Sequence, residues 1–186
     1  MRRSGFTVIE LLIVVIILGI VAAIVAPRID LGRYGVESAM RGAGVTLLAA
    51  QRQAVTQQHD VIVQFDLANH ALRIHDDRDN DADVDPGERV RVVPLGEQIV
   101  FGRGSAPVGA IGAGPVSFTK TIGGMPALVF RRNGSASQFG GFYLTSQRAI
   151  NSGTHAEDAR CVVIEPATGR LSWYRYGPPL WRGEAL

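Results

Sequence analysis

The chain has 186 residues, of which 46% are apolar, so it is long enough for a folded domain and too apolar for a disordered chain. Its formal net charge is +2, but without Arg2 and Arg3, which precede the first apolar segment, 17 basic side chains would face 17 acidic ones. This balance argues against a nucleic-acid partner, and the single cysteine, Cys161, excludes an intrachain disulfide.

The first element is an apolar segment, residues 6–26, in which Thr7 and Glu10 are the only polar side chains. A helix of about 20 residues spans a bilayer core of roughly 30 Å. Arg2 and Arg3 precede the segment, so the positive-inside rule places the short N-terminus in the cytoplasm and the rest of the chain across the membrane. We therefore predict a single-pass transmembrane helix.

Two interpretations of this N-terminus are open. Residues 22–26 could form the small-residue cleavage site of an ordinary secretory signal peptide. Against this, the basic leader ends at Gly5, and Glu10 places a carboxylate inside the apolar run, where an unpaired charge is costly. Cleavage between Gly5 and Phe6 would create an α-amine four residues before Glu10, on one helical face, and the two charges could pair within a chain or between neighbours.

The leader and the residues after it resemble the prepilin motif of type IV pilins and type II secretion pseudopilins. The resemblance lies in residues 2–5 (RRSG) followed by residues 6–12 (FTVIELL). It implies that a prepilin peptidase cuts after Gly5 and methylates the new N-terminal Phe6. It also implies that Glu10 acts in assembly and that Pro27 kinks the helix at the end of the buried segment.

An amphipathic helix is predicted to follow, over residues 27–59, because apolar side chains recur there at a three-to-four spacing. Pro27, Gly32 and Gly35 are expected to kink or loosen its start. The apolar stripe consists of Val36, Ala39, Met40, Ala43, Leu47, Ala50 and Ala54. Such a stripe predicts that strands later in the chain supply the surface that it covers.

The rest of the chain has the composition of strands separated by turns. The predicted strands are residues 61–66, 71–75, 89–93, 98–102, 116–119, 127–131, 141–145, 160–165 and 171–176, with hairpin turns at 67–70 and 166–169. We expect an α+β fold in which one long helix packs on antiparallel sheet. The predicted organisation is a leader at 1–5, a membrane segment at 6–26, a helix continuation at 27–59 and a β-rich domain at 60–186.

An acidic segment, residues 77–88, lies between the second and third predicted strands. Oxygen-bearing side chains at positions 1, 3, 5, 7, 9 and 12, with apolar Val84 at position 8, resemble an EF-hand calcium loop. Ala82 replaces the glycine of position 6, and strands instead of helices flank the segment. The alternative is a solvated acidic loop that keeps a sheet edge soluble. The candidate calcium ligands are Asp77, Asp79, Asp81, Asp83 and Glu88.

The remaining segments carry no pattern that indicates an enzyme: the four histidines lack metal-ligand spacing, and no nucleophile motif is present.

Residues 102–114, rich in glycine, favour a flexible surface loop that could contact a partner subunit, and residues 103–126 match no motif. The aromatic and basic C-terminus, residues 173–182, could stack on nucleic-acid bases, but we prefer a role in the core and in a subunit interface.

The C-terminal half resembles the GspH/FimT family, in residues 130–136 (FRRNGSA) and 161–171 (CVVIEPATGRL). The resemblance implies a minor pseudopilin at or near the tip of a type II secretion pseudopilus, anchored in the inner membrane with its domain in the periplasm. The implied partners are other minor and major pseudopilins, the prepilin peptidase and the secretion assembly platform. A FimT-like minor type IV pilin, acting in pilus biogenesis or DNA uptake, is the alternative.

Charge favours the secretion role over DNA uptake. Lys120 is the only lysine, and the acidic loop would repel a nucleic-acid strand. The best candidates for a basic patch are Arg170, Arg175 and Arg182, which are interleaved with bulky aromatic residues. We therefore expect no nucleic-acid partner.

Overall fold

The computed structural model describes residues 7–25, 31–85 and 87–184. Its helices are α1 (Val8–Val25), α2 (Leu31–Gln57) and α3 (Gln147–Ser152), with a 3₁₀ turn at Ala156–Asp158. Its strands are β1 (Asp60–Asp66), β2 (Ala71–Asp77), β3 (Val90–Pro94), β4 (Ile99–Phe101), β5 (Thr121–Ile122), β6 (Met125–Phe130), β7 (Gly140–Ser146), β8 (Arg160–Ile164), β9 (Leu171–Gly177) and β10 (Leu180–Glu184). The chain divides into two compact units, Met1–Leu31 and Gly32–Leu186.

Helix α1 belongs to the first unit and begins with a polar cap. The Thr7 hydroxyl accepts a hydrogen bond from the backbone N–H of Glu10 at 3.3 Å, which satisfies one of the free donors at the helix start. The large apolar side chains from Val8 to Val21 are exposed. The sequence therefore forms a helix there whose apolar surface is not buried within the described residues.

Helix α2 confirms the predicted amphipathic helix, with its start at Leu31 and its end at Gln57. Every member of the predicted apolar stripe is buried. The helix runs without interruption through Gly32 and Gly35, so these glycines do not loosen its start as expected. Helical glycine costs only about 1 kcal/mol relative to alanine, an amount that packing can offset. Pro27 lies outside the described residues.

The second unit also contains two antiparallel sheets, with strand orders β3-β2-β1-β6-β5 and β10-β9-β8-β7-β4. The stripe of α2 and apolar side chains from both sheets bury one core, which confirms the predicted α+β architecture. The sheet residues of this core are Val61, Val63, Phe65, Leu72, Ile74, Ile99, Phe101, Leu128, Phe130, Phe142, Leu144, Val162, Ile164 and Trp173.

Eight of the nine predicted strands are confirmed with small shifts of their ends. The strand predicted at 116–119 is wrong, because there only Val116 pairs, in an isolated bridge to Phe142. Helix α3 and strands β5 and β10 were not predicted. Helix α3 and strand β5 have six and two residues, too few to show a clear hydrophobic period, and β10 overlaps the aromatic and basic C-terminus.

The glycine-rich segment at 102–114 is held more firmly than predicted. The backbone N–H of Gly109 donates to the Tyr143 hydroxyl at 2.8 Å, and that hydroxyl donates to the Gly112 carbonyl at 2.9 Å. Ala106 and Ile111 are buried. This loop is therefore fixed to β7 by a buried tyrosine, and the expectation of a freely flexible surface loop is corrected.

Candidate functional site

The N-terminal site is described from Thr7 onward, so Gly5 and Phe6 lie outside the described residues, and Pro27 lies in the gap at 26–30. Glu10 lies in the first turn of α1 and is exposed. Thr7 and Glu10 have the threonine-x-x-glutamate spacing of a capping box, in which the carboxylate can also serve the helix N-terminus. Among the described residues, no helix combines the length and the apolarity needed to cross a membrane.

The acidic loop brings three carboxylates together at the end of β2. One oxygen from each of Asp77, Asp79 and Asp81 lies within 4.8 Å of the others. Asp77 is the last residue of β2 and is buried, whereas Asp79 and Asp81 are exposed. Alternate residues thus converge on one point because the chain bends sharply after the strand.

Asp77 is the anchor of this group. Its Oδ2 accepts a hydrogen bond from the backbone N–H of Ala82 at 3.0 Å. Its Oδ1 is buried and has no hydrogen-bond partner among the described residues. Burial raises the pKa of the Asp77 carboxyl, against the effect of the backbone N–H groups that point at it.

Asp83 and Glu88, the other two predicted ligands, lie outside the group of three. The Asp83 carboxylate accepts from the backbone N–H of Val84 at 2.8 Å. The two oxygens of Glu88 accept from the backbone N–H groups of Arg78 and Asp85, each at 3.2 Å. The Glu88 side chain therefore links the backbone of Arg78, near the start of the loop, to the backbone of Asp85, near its end.

The backbone at position 6 of the loop has the conformation that a calcium loop needs, although the residue is not glycine. Ala82 has φ of +63°, in the left-handed region, where a non-glycine residue costs roughly 1–2 kcal/mol. Ala82 and Val84 pack against an apolar cluster on the other face of the first sheet. The cluster consists of Ile62, Ile122, Ala127 and Val129.

The C-terminal arginines do not form one patch. Arg175 lies opposite Arg182 of β10 and Arg160 of β8 in register, so these three residues share one face of the second sheet. Arg170 precedes β9 and differs from Arg175 by an odd number of residues, which places it toward the other face. The aromatic residues alternate in the same way, with Trp173 in the core around α2.

A buried ion pair between α2 and β8 was not predicted. The Arg160 side chain is 1% exposed, and its Nε donates to the Glu37 carboxylate at 3.2 Å. Its Nη1 donates to the backbone carbonyls of Glu157 and Ala159. In the sequence, Arg160 stands out as a charge within an apolar strand and Glu37 as a charge beside the apolar stripe of α2. Neither feature shows that the two residues pair with each other.

Comparison with known proteins adds one match at the N-terminus. Residues 1–26 match the family model described as the prokaryotic N-terminal methylation motif. The predicted prepilin-type N-terminus is therefore confirmed as a motif of this chain. No curated protein matches the chain.

Among solved structures, the chain is similar to the minor pseudopilin EpsH from the Type 2 Secretion System of Vibrio cholerae. The sequence identity is 14% and the TM-score is 0.44. The match covers 77% of this chain and 99% of that chain.

Proposed function

We propose that the protein is a minor pseudopilin of a type II secretion system, which acts by assembling at or near the tip of a periplasmic fibre and not by catalysis. The observation that carries the proposal is the N-terminal methylation motif over residues 1–26. Directly within that motif, α1 exposes its large apolar side chains. A helix of this kind needs lipid or the helices of other subunits to cover it.

Processing prepares the chain for assembly. A prepilin peptidase cuts between Gly5 and Phe6 and methylates the new amine, and residues 6–26 hold the protein in the inner membrane. The β-rich domain then faces the periplasm, since Arg2 and Arg3 keep the leader on the cytoplasmic side. Its partners are other minor and major pseudopilins and the secretion assembly platform.

The carboxylate of Glu10 guides assembly by pairing with the Phe6 amine of a neighbouring subunit. An unpaired charge in lipid costs several kcal/mol, so pairing between chains draws subunits together and sets their axial stagger. The capping-box spacing from Thr7 gives Glu10 a competing, purely local role at the helix start. The two roles differ in what they require, because capping accepts glutamine and ion pairing does not.

Co-purification with other pseudopilins tests this role of Glu10. Glu10→Leu and Glu10→Gln should both insert in the membrane and both lose partner subunits, whereas Glu10→Asp, which keeps the charge, should retain some. Recovery of partners by Glu10→Gln at the wild-type level would show that Glu10 only caps the helix. Full assembly of Glu10→Leu would refute any role of the residue in the fibre.

The distribution of charge supports secretion over DNA uptake. Non-specific DNA binding needs clustered cations with few neighbouring acids, and the sheet separates Arg170 from the face that carries Arg175 and Arg182. A gel-shift titration at low salt should show no DNA binding at micromolar protein. Salt-sensitive binding that Arg170→Ala with Arg175→Ala abolishes would instead support the FimT-like role.

A further inference from the structure

We propose that the loop at residues 77–88 binds one calcium ion through the carboxylates of Asp77, Asp79 and Asp81. Their oxygens lie within 4.8 Å of one another, which is a span that a single cation with oxygen ligands at 2.3–2.6 Å can bridge. The three carboxylates come from alternate positions of one bend. This inference does not depend on the proposed function.

The burial of Asp77 favours a binding site over the alternative of a solvated acidic loop. Surface carboxylates satisfy their oxygens with water, but the Asp77 side chain is 0% exposed and its Oδ1 lacks a hydrogen-bond partner among the described residues. A buried carboxylate oxygen without a donor is costly. A cation held with Asp79 and Asp81 would give the buried Asp77 carboxylate a positive partner and offset the repulsion among the three charges.

The ligand chemistry selects calcium. The loop has neither histidine nor cysteine, so it offers only oxygen ligands, which hard cations prefer. It also carries Asp83, Asp85 and Glu88, whose charges add to the negative field around the three ligands. Magnesium demands near-ideal octahedral geometry and gives up its water reluctantly, so a bend with two exposed carboxylates favours calcium.

Calcium at this point would fix the connection between β2 and the edge strand β3. Asp77 ends β2 and pairs with Asp60 of β1. After the three carboxylates, Ala82 and Val84 pack on the apolar cluster of the first sheet, and Glu88 closes the loop just before β3. The ion would therefore hold the bend while these contacts anchor its far end, and the domain would unfold at higher temperature.

Thermal unfolding of the full-length protein in detergent tests the proposal, with calcium, magnesium or a chelator added. For dissociation constants of about 0.1–1 mM, as in extracellular calcium modules, about 10 mM calcium should raise the Tm by about 3–10 °C. The same concentration of magnesium should give a much smaller rise. An equal rise with magnesium would show screening of the acidic loop by counter-ions and would overturn the site.

Matched variants assign the effect to the three carboxylates. Asp79→Asn with Asp81→Asn should abolish the calcium-dependent rise, and both side chains are exposed, so the fold should tolerate them. Asp83→Asn removes a charge from the same loop but outside the group of three, and it should retain the rise. Absence of a rise in the wild type, or its persistence in the double variant, would overturn the proposal.

Discussion

A methyl group at Gly141 should destabilise the protein severely, because three segments meet at this residue near the start of β7. A Cβ built there would clash with the backbone carbonyl oxygen of Val162 in β8 and come within 2.9 Å of Ile111 Cγ2. Real Cβ atoms essentially never approach other atoms closer than 3.0 Å. On the remaining side, the backbone N–H and carbonyl of Gly141 both bond to Ser117.

The size of the effect follows from what would have to move. Overpacking a core costs typically 1–3 kcal/mol, and we expect the upper end because the obstacle is backbone of the paired strand and not a side chain that can rotate. For a unit of this size, a loss of about 3 kcal/mol lowers the Tm by about 6–12 °C. Thermal unfolding of the full-length Gly141→Ala variant in detergent measures this shift.

Gly42→Ala provides the matched control. Gly42 lies on the exposed side of α2, and an added Cβ would meet nothing within 4 Å. Alanine in a helix is more stable than glycine by about 1 kcal/mol, so the Tm should rise by about 2–4 °C. Identical behaviour of the two variants, or a Gly141→Ala protein as stable as the wild type, would refute the close approach of β7 and β8.

The remaining predictions concern buried charge and protonation. Glu37→Ala removes a carboxylate that accepts a hydrogen bond from the buried Arg160 guanidinium, and it should lower the free energy of unfolding by about 2–3 kcal/mol, less than for a wholly buried pair because Glu37 is 28% exposed. Arg41→Ala, which removes the exposed partner of Glu37, should cost under about 0.5 kcal/mol, and equal losses in denaturant titrations would contradict the buried pair. Burial lowers the pKa of His75, whose Nε2 lies 2.7 Å from the side-chain oxygen of Gln64. Because the unfolded chain then binds the extra proton, stability should fall as the pH drops below about 6.5, and His75→Gln should flatten that part of the stability profile.

Elements in which a hydrophobic pattern repeats several times could be predicted from sequence. Short elements that are fixed by contacts with distant residues could not. The stripe of α2 repeats over five turns, so its burial follows from sequence alone. Residues 116–119 have the alternation of a strand, but their backbone pairs with β7 through an isolated bridge to Phe142 and a hydrogen bond to Gly141, not through a continuous ladder. Helix α3 depends on a Ser146 cap, a local signal of the kind that also occurs in turns.

For the acidic loop, spacing predicted five ligands, and the structure brings together Asp77, Asp79 and Asp81. Glu88 has the spacing of a ligand, but its carboxylate lies outside the group of three and accepts hydrogen bonds from the backbone N–H groups of Arg78 and Asp85. Spacing alone does not show which carboxylates the bend brings together. It also could not reveal that Asp77 is buried, because burial there depends on the packing of the whole first sheet.

Leader cleavage is the step on which the proposed pseudopilin role depends, and the N-terminus of the mature protein tests it most directly. Mass spectrometry of protein purified from membranes should give a chain that starts at a methylated Phe6 in cells with a prepilin peptidase. In cells without the peptidase the chain should keep its leader. A start near Ala26, independent of the peptidase, would identify an ordinary secreted protein and contradict the account.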